Sequence, residues 1–146
     1  MSHRKPIALA LMLALAAALG FGCATTAAPP AAPAAEAAFE PFHAIVDAAF
    51  VKQQIQIPMP ENVMLIDSRP RRPKYDEGHI PMAVIIPDSQ FEKLSAQLPA
   101  DKNALLIFYC GGTACPLSHK SARKAEALGY TNVKVFAEGL PGWLKV

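Results

Sequence analysis

The chain has very little net charge and room for only one ordinary domain. It contains 146 residues, and its 14 basic and 12 acidic side chains leave a formal charge of +2 at pH 7. A balance this small argues against a nucleic acid or another polyanion as partner. The hydrophobic fraction of 52% is that of a globular chain, although an alanine-rich beginning inflates it.

Acidic residues are absent from the beginning of the chain as far as Glu36. Positions 3–5 form a basic start, and residues 7–21 form an uncharged apolar run. That run has the length of a signal-peptide core and is short for a membrane span. Residues 1–23 are therefore predicted to be an export signal.

The predicted signal ends at Cys23, in a segment similar to a bacterial lipobox. Residues 19–22 read Leu-Gly-Phe-Gly, although a lipobox favours leucine at the place that Gly20 occupies. We expect Cys23 to become the lipidated first residue of a protein anchored in a bacterial cell envelope, facing the periplasm or the outside. Cleavage by an ordinary signal peptidase near residues 25–28, which leaves a soluble periplasmic protein, and an uncleaved anchor are the alternatives.

Residues 24–38 are almost entirely Ala, Pro and Thr, and they show no apolar periodicity. Proline makes such a segment extended and semi-rigid, so we predict a tether. The folded domain is predicted over residues 39–146, which is long enough for one hydrophobic core.

Within that domain, strand-like apolar runs alternate with helix-like periodicities. Strands are predicted at 63–66, 83–86, 105–109 and 133–136, and helices at 44–56, 89–98, 117–128 and 139–146. Alternation of this kind is typical of parallel sheets covered by helices. We therefore predict a three-layer α/β fold with a central, mostly parallel sheet of about five strands and helices on both faces.

Cys110 directly follows the apolar run 105–109, at the carboxyl end of a predicted buried strand. Ligands bind outside the carboxyl ends of strands in open parallel sheets. After the loop comes a helix with Ser118 as candidate N-cap and Gly129 as its stop. The loop itself consists of Gly111, Gly112, Thr113, Ala114, Cys115 and Pro116. Its N–H groups and the helix dipole favour an anion, which predicts a lowered pKa for the Cys110 thiol. The alternative is a buried structural cysteine.

Four segments, taken in order, resemble the elements of a rhodanese-type sulfurtransferase domain and span nearly all of the folded part. They are Leu65-Ile66-Asp67-Ser68-Arg69, Glu77-Gly78-His79-Ile80-Pro81-Met82-Ala83, Tyr109-Cys110 and Glu138-Gly139-Leu140-Pro141-Gly142-Trp143. We expect Asp67 and Arg69 to form charge-assisted hydrogen bonds with loop backbone or with each other, mainly as structural support. His79 is expected to be a turn histidine bonded to backbone rather than a catalytic base.

The chain also departs from the family pattern. Met82 stands where the family has glycine, which predicts a slightly different turn. The loop after Cys110 is longer than the common version and has no Arg or Lys before Ser118, where relatives that use thiosulfate typically offer a cation. This argues against thiosulfate as the natural donor, with His119 and Lys120 as candidate replacement charges and loop N–H groups as an alternative anion site.

The resemblance implies persulfide chemistry on Cys110. Its thiolate attacks the sulfane sulfur of thiosulfate, a polysulfide or a persulfide, holds that sulfur, and gives it to a thiol or a cyanide-like acceptor. Neither a cofactor nor a metal is required. The loop N–H groups, together with the hydroxyls of Thr113 and Ser118, are the expected donors to the persulfide anion.

Cys115 keeps other functions open. An exported protein meets an oxidising compartment, where a reversible Cys110–Cys115 disulfide would switch the nucleophile off. Alternatively, Cys115 would resolve the persulfide. Against this, four residues separate the cysteines, whereas the thioredoxin-like signature has two. Cys115 as a small apolar loop residue, and the domain as a non-catalytic interaction module for an unidentified protein partner, are the plainer alternatives. A metal site of Cys110, Cys115 and His119 lacks a fourth ligand, and Pro116 occupies the arginine position of related cysteine phosphatases.

Overall fold

The computed structural model describes residues 39–146 of the chain. The predicted signal peptide 1–23 with its lipidation site Cys23, and the predicted tether 24–38, lie outside the described residues. Within the described part of the chain, no helix is both long enough and apolar enough to cross a membrane.

The sheet is built around the strand that leads to the candidate nucleophile. This strand, β4 (Leu105–Tyr109), lies between β2 (Val63–Asp67) and β5 (Val133–Phe136). β1 (Ile45–Val46) pairs with the outer side of β5, and β3 (Val84–Ile85) pairs with the outer side of β2. The strand order is β1-β5-β4-β2-β3 and every pair is parallel, which confirms the predicted five-stranded α/β sheet.

Helices cover both faces of the sheet. α1 (Ala48–Gln54) and α4 (Gly139–Trp143) pack on one face, and α2 (Phe91–Leu94) and α3 (Leu117–Ala127) pack on the other. β4 contributes to both cores, because successive side chains of a strand point to opposite faces. Its central position therefore leaves nearly all of its side chains buried, and it places Cys110 directly after a buried strand.

The helix predicted over 44–56 is wrong at its beginning. Ile45 and Val46 form the edge strand β1, paired with residues 135–136 of β5. The helix starts only after Asp47, whose carboxylate accepts a hydrogen bond from the N–H of Phe50 at 2.8 Å and so caps it.

The helix predicted over 89–98 is also wrong as a single element. The four residues of α2 lie between two short 3₁₀ segments, 88–90 and 95–97. The hydroxyl of Ser95 donates to the carbonyl oxygen of Glu92 at 3.0 Å, and such local side-chain bonds compete with helix continuation. Phe91 and Leu98 of this segment are nevertheless buried in the core on that face of the sheet.

Gly129 and Met82 both have a positive φ. Gly129 follows α3 with a φ of +91°, which confirms it as the helix stop. Met82 has a φ of +64°, in the left-handed region that glycine favours. The chain accommodates this strained conformation with a methionine that is 41% exposed.

Candidate active site

Cys110 lies immediately beyond β4, beneath the loop that leads into α3. Its thiol donates a hydrogen bond to the carbonyl oxygen of Cys115 at 3.2 Å, and its sulfur lies 3.2 Å from the hydroxyl oxygen of Ser118. Cys110 is only 1% exposed. The thiol is therefore enclosed from above by the loop and from the side by the first turn of α3.

Ser118 is not the N-cap that its sequence position suggests. α3 begins at Leu117, so Ser118 belongs to the helix itself and turns its hydroxyl toward Cys110. The prediction that it serves as cap is wrong, whereas its expected place beside the nucleophile agrees with the structure. Thr113, the other expected hydroxyl donor, is exposed with Ala114 at the outer part of the loop.

Two glycines shape the loop and what supports it. Gly112 has a φ of +131° and its carbonyl oxygen accepts the N–H of Cys115 at 2.9 Å, which closes a tight turn. Gly139, at the start of α4, has a φ of +58°. The N–H of Leu140 donates to the carbonyl oxygen of Cys110 at 3.2 Å, and a Cβ atom on Gly139 would overlap that oxygen. The closing segment of the sequence thus braces the nucleophile, a role that sequence reasoning missed.

Asp67 and Arg69 form a buried ion pair at the carboxyl end of β2. Arg69 Nε donates to Asp67 Oδ1 at 2.9 Å and Nη2 donates to Oδ2 at 2.6 Å, while the Arg69 N–H also donates to Oδ1. A further bond joins Nη2 to the carbonyl oxygen of Gly78 at 2.7 Å. The pair therefore links the end of β2 to the turn at Gly78, and both residues form the charge-assisted hydrogen bonds expected of them.

His79 lies on the surface beside this pair. Its Nδ1 lies 3.1 Å from the carbonyl oxygen of Tyr75, and its ring stacks on the Tyr75 ring with centroids 3.9 Å apart. The contact with backbone is the one expected of a turn histidine.

The pKa values of the two loop cysteines shift in opposite directions. Interaction with the Cys115 side chain, followed by burial, raises the pKa of Cys110 above the ordinary thiol value. Interaction with the Cys110 side chain is the largest cause that lowers the pKa of Cys115 to about 6, with further support from the N–H groups of Gly111 and Leu117 and opposition from burial. The shift of Cys110 is therefore opposite to the predicted lowering, and Cys115 is the cysteine that is favoured as thiolate.

A cavity of about 550 Å³ opens beside the loop. Cys115, Gly111 and Leu117 line one side, and apolar residues of the last segment line another. Two cations, Arg69 and Lys74, also line it. Lys74 is exposed and approaches from the segment after β2, so the site has a cation that the loop sequence lacks.

His119 does not supply that charge. It is 2% exposed, and its Nδ1 accepts the N–H of Phe42 at 2.9 Å. Burial, followed by the charge of Arg123, lowers its pKa and favours the neutral ring. The expectation that His119 provides a cation is wrong, while Lys120 is exposed in the first turns of α3.

Comparison with known proteins places this site in a family. A crystal structure of the BH2092 protein from Bacillus halodurans superposes with a TM-score of 0.59 at 30% identity, over 70% of this chain and 72% of that one. A human single-domain sulfurtransferase superposes with a TM-score of 0.54 at 23% identity, over 73% of this chain and 97% of that one, which shows likeness of fold.

A curated relative is the HTH-type transcriptional regulator Rv0324 of Mycobacterium tuberculosis, 33% identical over 81 residues. The match takes in 56% of this chain and about a third of the regulator, 34% of its length. The family model for the Rhodanese-like domain matches residues 48–146, from α1 to the last residue, and includes every element of the site described above. The chain belongs to the rhodanese-like domain family.

Proposed function

We propose that the protein is a sulfurtransferase that moves sulfane sulfur from a small donor to a thiophilic acceptor through a persulfide on Cys110. The observation that carries the proposal is the position of Cys110 at the carboxyl end of the central strand, under a glycine-containing loop and 3.2 Å from the Ser118 hydroxyl. Membership of the family supports the same reading, although rhodanese-like domains also serve without catalysis.

The first step would form the persulfide. With thiosulfate as donor, the sulfur of Cys110 attacks the outer sulfur atom, the S–S bond of the donor breaks, and sulfite leaves with the bonding pair. The proton of the Cys110 thiol passes to the Cys115 thiolate of the same loop, the thiol with the lower pKa. The products are a Cys110 persulfide anion, a Cys115 thiol and sulfite, so atoms and charges balance.

The second step would return the sulfur. A nucleophilic acceptor, such as a thiol or cyanide, attacks the outer sulfur of the persulfide and releases Cys110, which recovers its proton. Until then the Ser118 hydroxyl and nearby loop N–H groups stabilise the anion. Lys74, with Arg69 behind it, offers the anionic end of a donor the cation that the loop lacks, which supports thiosulfate as one donor.

A steady-state assay of thiocyanate formation from thiosulfate and cyanide tests this function. Wild-type protein should turn over, and Cys110→Ser should reduce turnover to the uncatalysed rate while the far-ultraviolet circular dichroism stays unchanged. Absence of turnover with thiosulfate and also with inorganic polysulfide would favour a non-catalytic binding module.

A second candidate function is a redox switch. The contact between the two cysteines favours it, because the Cys110 thiol donates to the carbonyl oxygen of Cys115 and both thiols belong to one short loop. Mild oxidation followed by intact mass measurement tests this directly. A loss of two hydrogen atoms that a reductant reverses, together with lost transfer activity, would support the switch.

We also propose that the domain acts at a bacterial cell envelope, held there by lipid on Cys23 and facing the periplasm or the outside. The basic start, the apolar run and the lipobox-like residues 19–22 support this. Globomycin, which blocks lipoprotein signal peptidase, should make the unprocessed precursor accumulate. Normal processing in its presence would contradict the lipid anchor.

A further inference from the structure

The two cysteines of the loop differ sharply in access. Cys110 is 1% exposed, and its sulfur is covered by the Cys115 carbonyl group and the Ser118 hydroxyl. Cys115 is half-buried and lines the cavity of about 550 Å³. Of the two cysteines, Cys115 is therefore the one that lines this cavity, which is large enough for a second molecule.

We propose that Cys115 is a second sulfur-carrying residue, which takes the sulfane sulfur from Cys110 and presents it to an organic thiol bound in this cavity. The inference rests on the proposed function, because it requires sulfur to be loaded on Cys110 first.

The difference in size between donor and acceptor makes such a transfer useful. A compact donor such as thiosulfate needs only a small opening of the loop to reach Cys110. An organic thiol is bulkier, and cavities of this volume hold molecules much larger than thiosulfate. Moreover, the Gly139–Leu140 backbone is bonded directly to the Cys110 carbonyl group, which restricts how far that side of the site can open.

The transfer is balanced without any other reactant. The loaded pair holds one proton and one negative charge. In the form with the proton on the persulfide, the Cys115 thiolate attacks the outer sulfur, the S–S bond to Cys110 breaks, and Cys110 leaves with the bonding pair and takes up the proton. A Cys110 thiol and a Cys115 persulfide anion result. The Cys110 sulfur is reduced to the thiol level as the Cys115 sulfur is oxidised to the persulfide level, so no external oxidant or reductant is needed.

Two features of the loop favour this direction. The N–H groups of Gly111 and Leu117 lower the pKa of the Cys115 thiol and would stabilise a persulfide anion on that residue in the same way. The product returns Cys110 to the protonated form, whose thiol donates to the Cys115 carbonyl oxygen.

The cavity wall indicates the class of acceptor. Leu140, Pro141 and Leu144 give it an apolar side, and Lys74 places a cation on its rim. These surroundings fit a low-molecular-weight thiol that has an aliphatic body and a carboxylate group. Glutathione is a suitable probe of that class.

The test compares two acceptors of different size. Full-length protein is loaded with thiosulfate, freed of donor, and treated with glutathione or with cyanide, a diatomic nucleophile that reaches an enclosed sulfur. The loss of sulfur is followed by intact mass. We expect Cys115→Ser and Cys115→Ala to lower the ratio of the glutathione rate to the cyanide rate by about ten-fold or more.

A second readout uses the wild-type sequence and does not depend on the folding of a variant. Loaded protein is alkylated at short times, and fragmentation of peptide 103–120 assigns the extra sulfur to one cysteine. We expect it on Cys110 first and then on Cys115.

A control for the acceptor comparison adds Ala127→Cys to Cys115→Ser. This double variant has an exposed thiol at the far end of α3, and it should not restore the ratio of the glutathione rate to the cyanide rate.

The outcomes separate the two proposals. Extra sulfur that stays on Cys110, with an unchanged acceptor ratio in both Cys115 variants, overturns this inference alone. Wild-type protein that loads and then loses two hydrogen atoms with release of hydrogen sulfide overturns it in favour of a disulfide. Wild-type protein that never gains sulfur contradicts the proposed function itself, and the inference with it.

Discussion

Replacement of Gly139 by alanine should damage the active site from a position that carries no functional group. Gly139 combines a φ of +58° with direct contact to the backbone of the nucleophile. A Cβ atom there would overlap the carbonyl oxygen of Cys110 and lie 2.9 Å from the nitrogen of Gly112. Either the start of α4 or the loop must move, by a distance on the order of 1 Å, to restore ordinary contacts.

Two costs add in this variant. A left-handed backbone costs a non-glycine residue about 1–2 kcal/mol. Overpacking against rigid backbone costs about 1–3 kcal/mol more. Together they amount to about 2–5 kcal/mol, a large part of the 5–15 kcal/mol that is typical of a domain's free energy of unfolding. Displacement of Cys110 by this distance should also slow persulfide formation by about 100-fold.

Gly129→Ala provides the matched control. Gly129 also has a positive φ, +91°, but a Cβ atom at this position meets nothing within 4 Å. This variant should lose only the conformational part, about 1–2 kcal/mol, and keep its rate of persulfide formation. Urea denaturation measures the first quantity, and rapid-quench intact mass after thiosulfate addition measures the second. Equal destabilisation in the two variants, with a normal loading rate in Gly139→Ala, would refute the claim that Gly139 braces the nucleophile.

Two further predictions concern charge at the site. The pKa of Cys115 is lowered to about 6, and the thiolate is the reactive form. Alkylation of Cys115 by iodoacetamide should therefore reach half of its maximal rate near pH 6, well below the pH at which Cys110 reacts. Preferential labelling of Cys110 at neutral pH would contradict this order. Lys74→Ala should raise the KM for thiosulfate by about two- to five-fold, since an exposed ion pair contributes up to about 1 kcal/mol. The control variant Lys93→Ala changes an exposed lysine on α2 and should leave the KM unchanged. Equal KM values in the two variants would show that Lys74 does not bind the donor.

The sequence predicts this fold well where local signals are strong. The run 105–109, the glycines after Cys110 and the stop at Gly129 define a strand, a loop and a helix from neighbouring residues alone. Local signals do not predict β1, because its two residues owe their conformation to pairing with β5, which lies far along the chain.

The sequence likewise predicts some features of the site and not others. The position of Cys110 at the end of β4 and the Asp67–Arg69 pair can be predicted from residue type and order. The opposite pKa shifts of the two cysteines cannot, because they depend on the burial of Cys110 and on the interaction between the two side chains. Lys74 and Gly139 enter the site from segments distant in sequence, so neither role follows from the composition of the loop.

Intact mass of the full-length protein after exposure to thiosulfate and removal of the donor tests the central claim most directly. We predict that reduced wild-type protein retains the mass of one additional sulfur atom, that cyanide removes it, and that fragmentation finds it on Cys110 at the earliest times. Cys110→Ser should retain none. A wild-type protein that gains no sulfur from thiosulfate or polysulfide, or a Cys110→Ser variant that retains as much sulfur as wild type, would contradict the account.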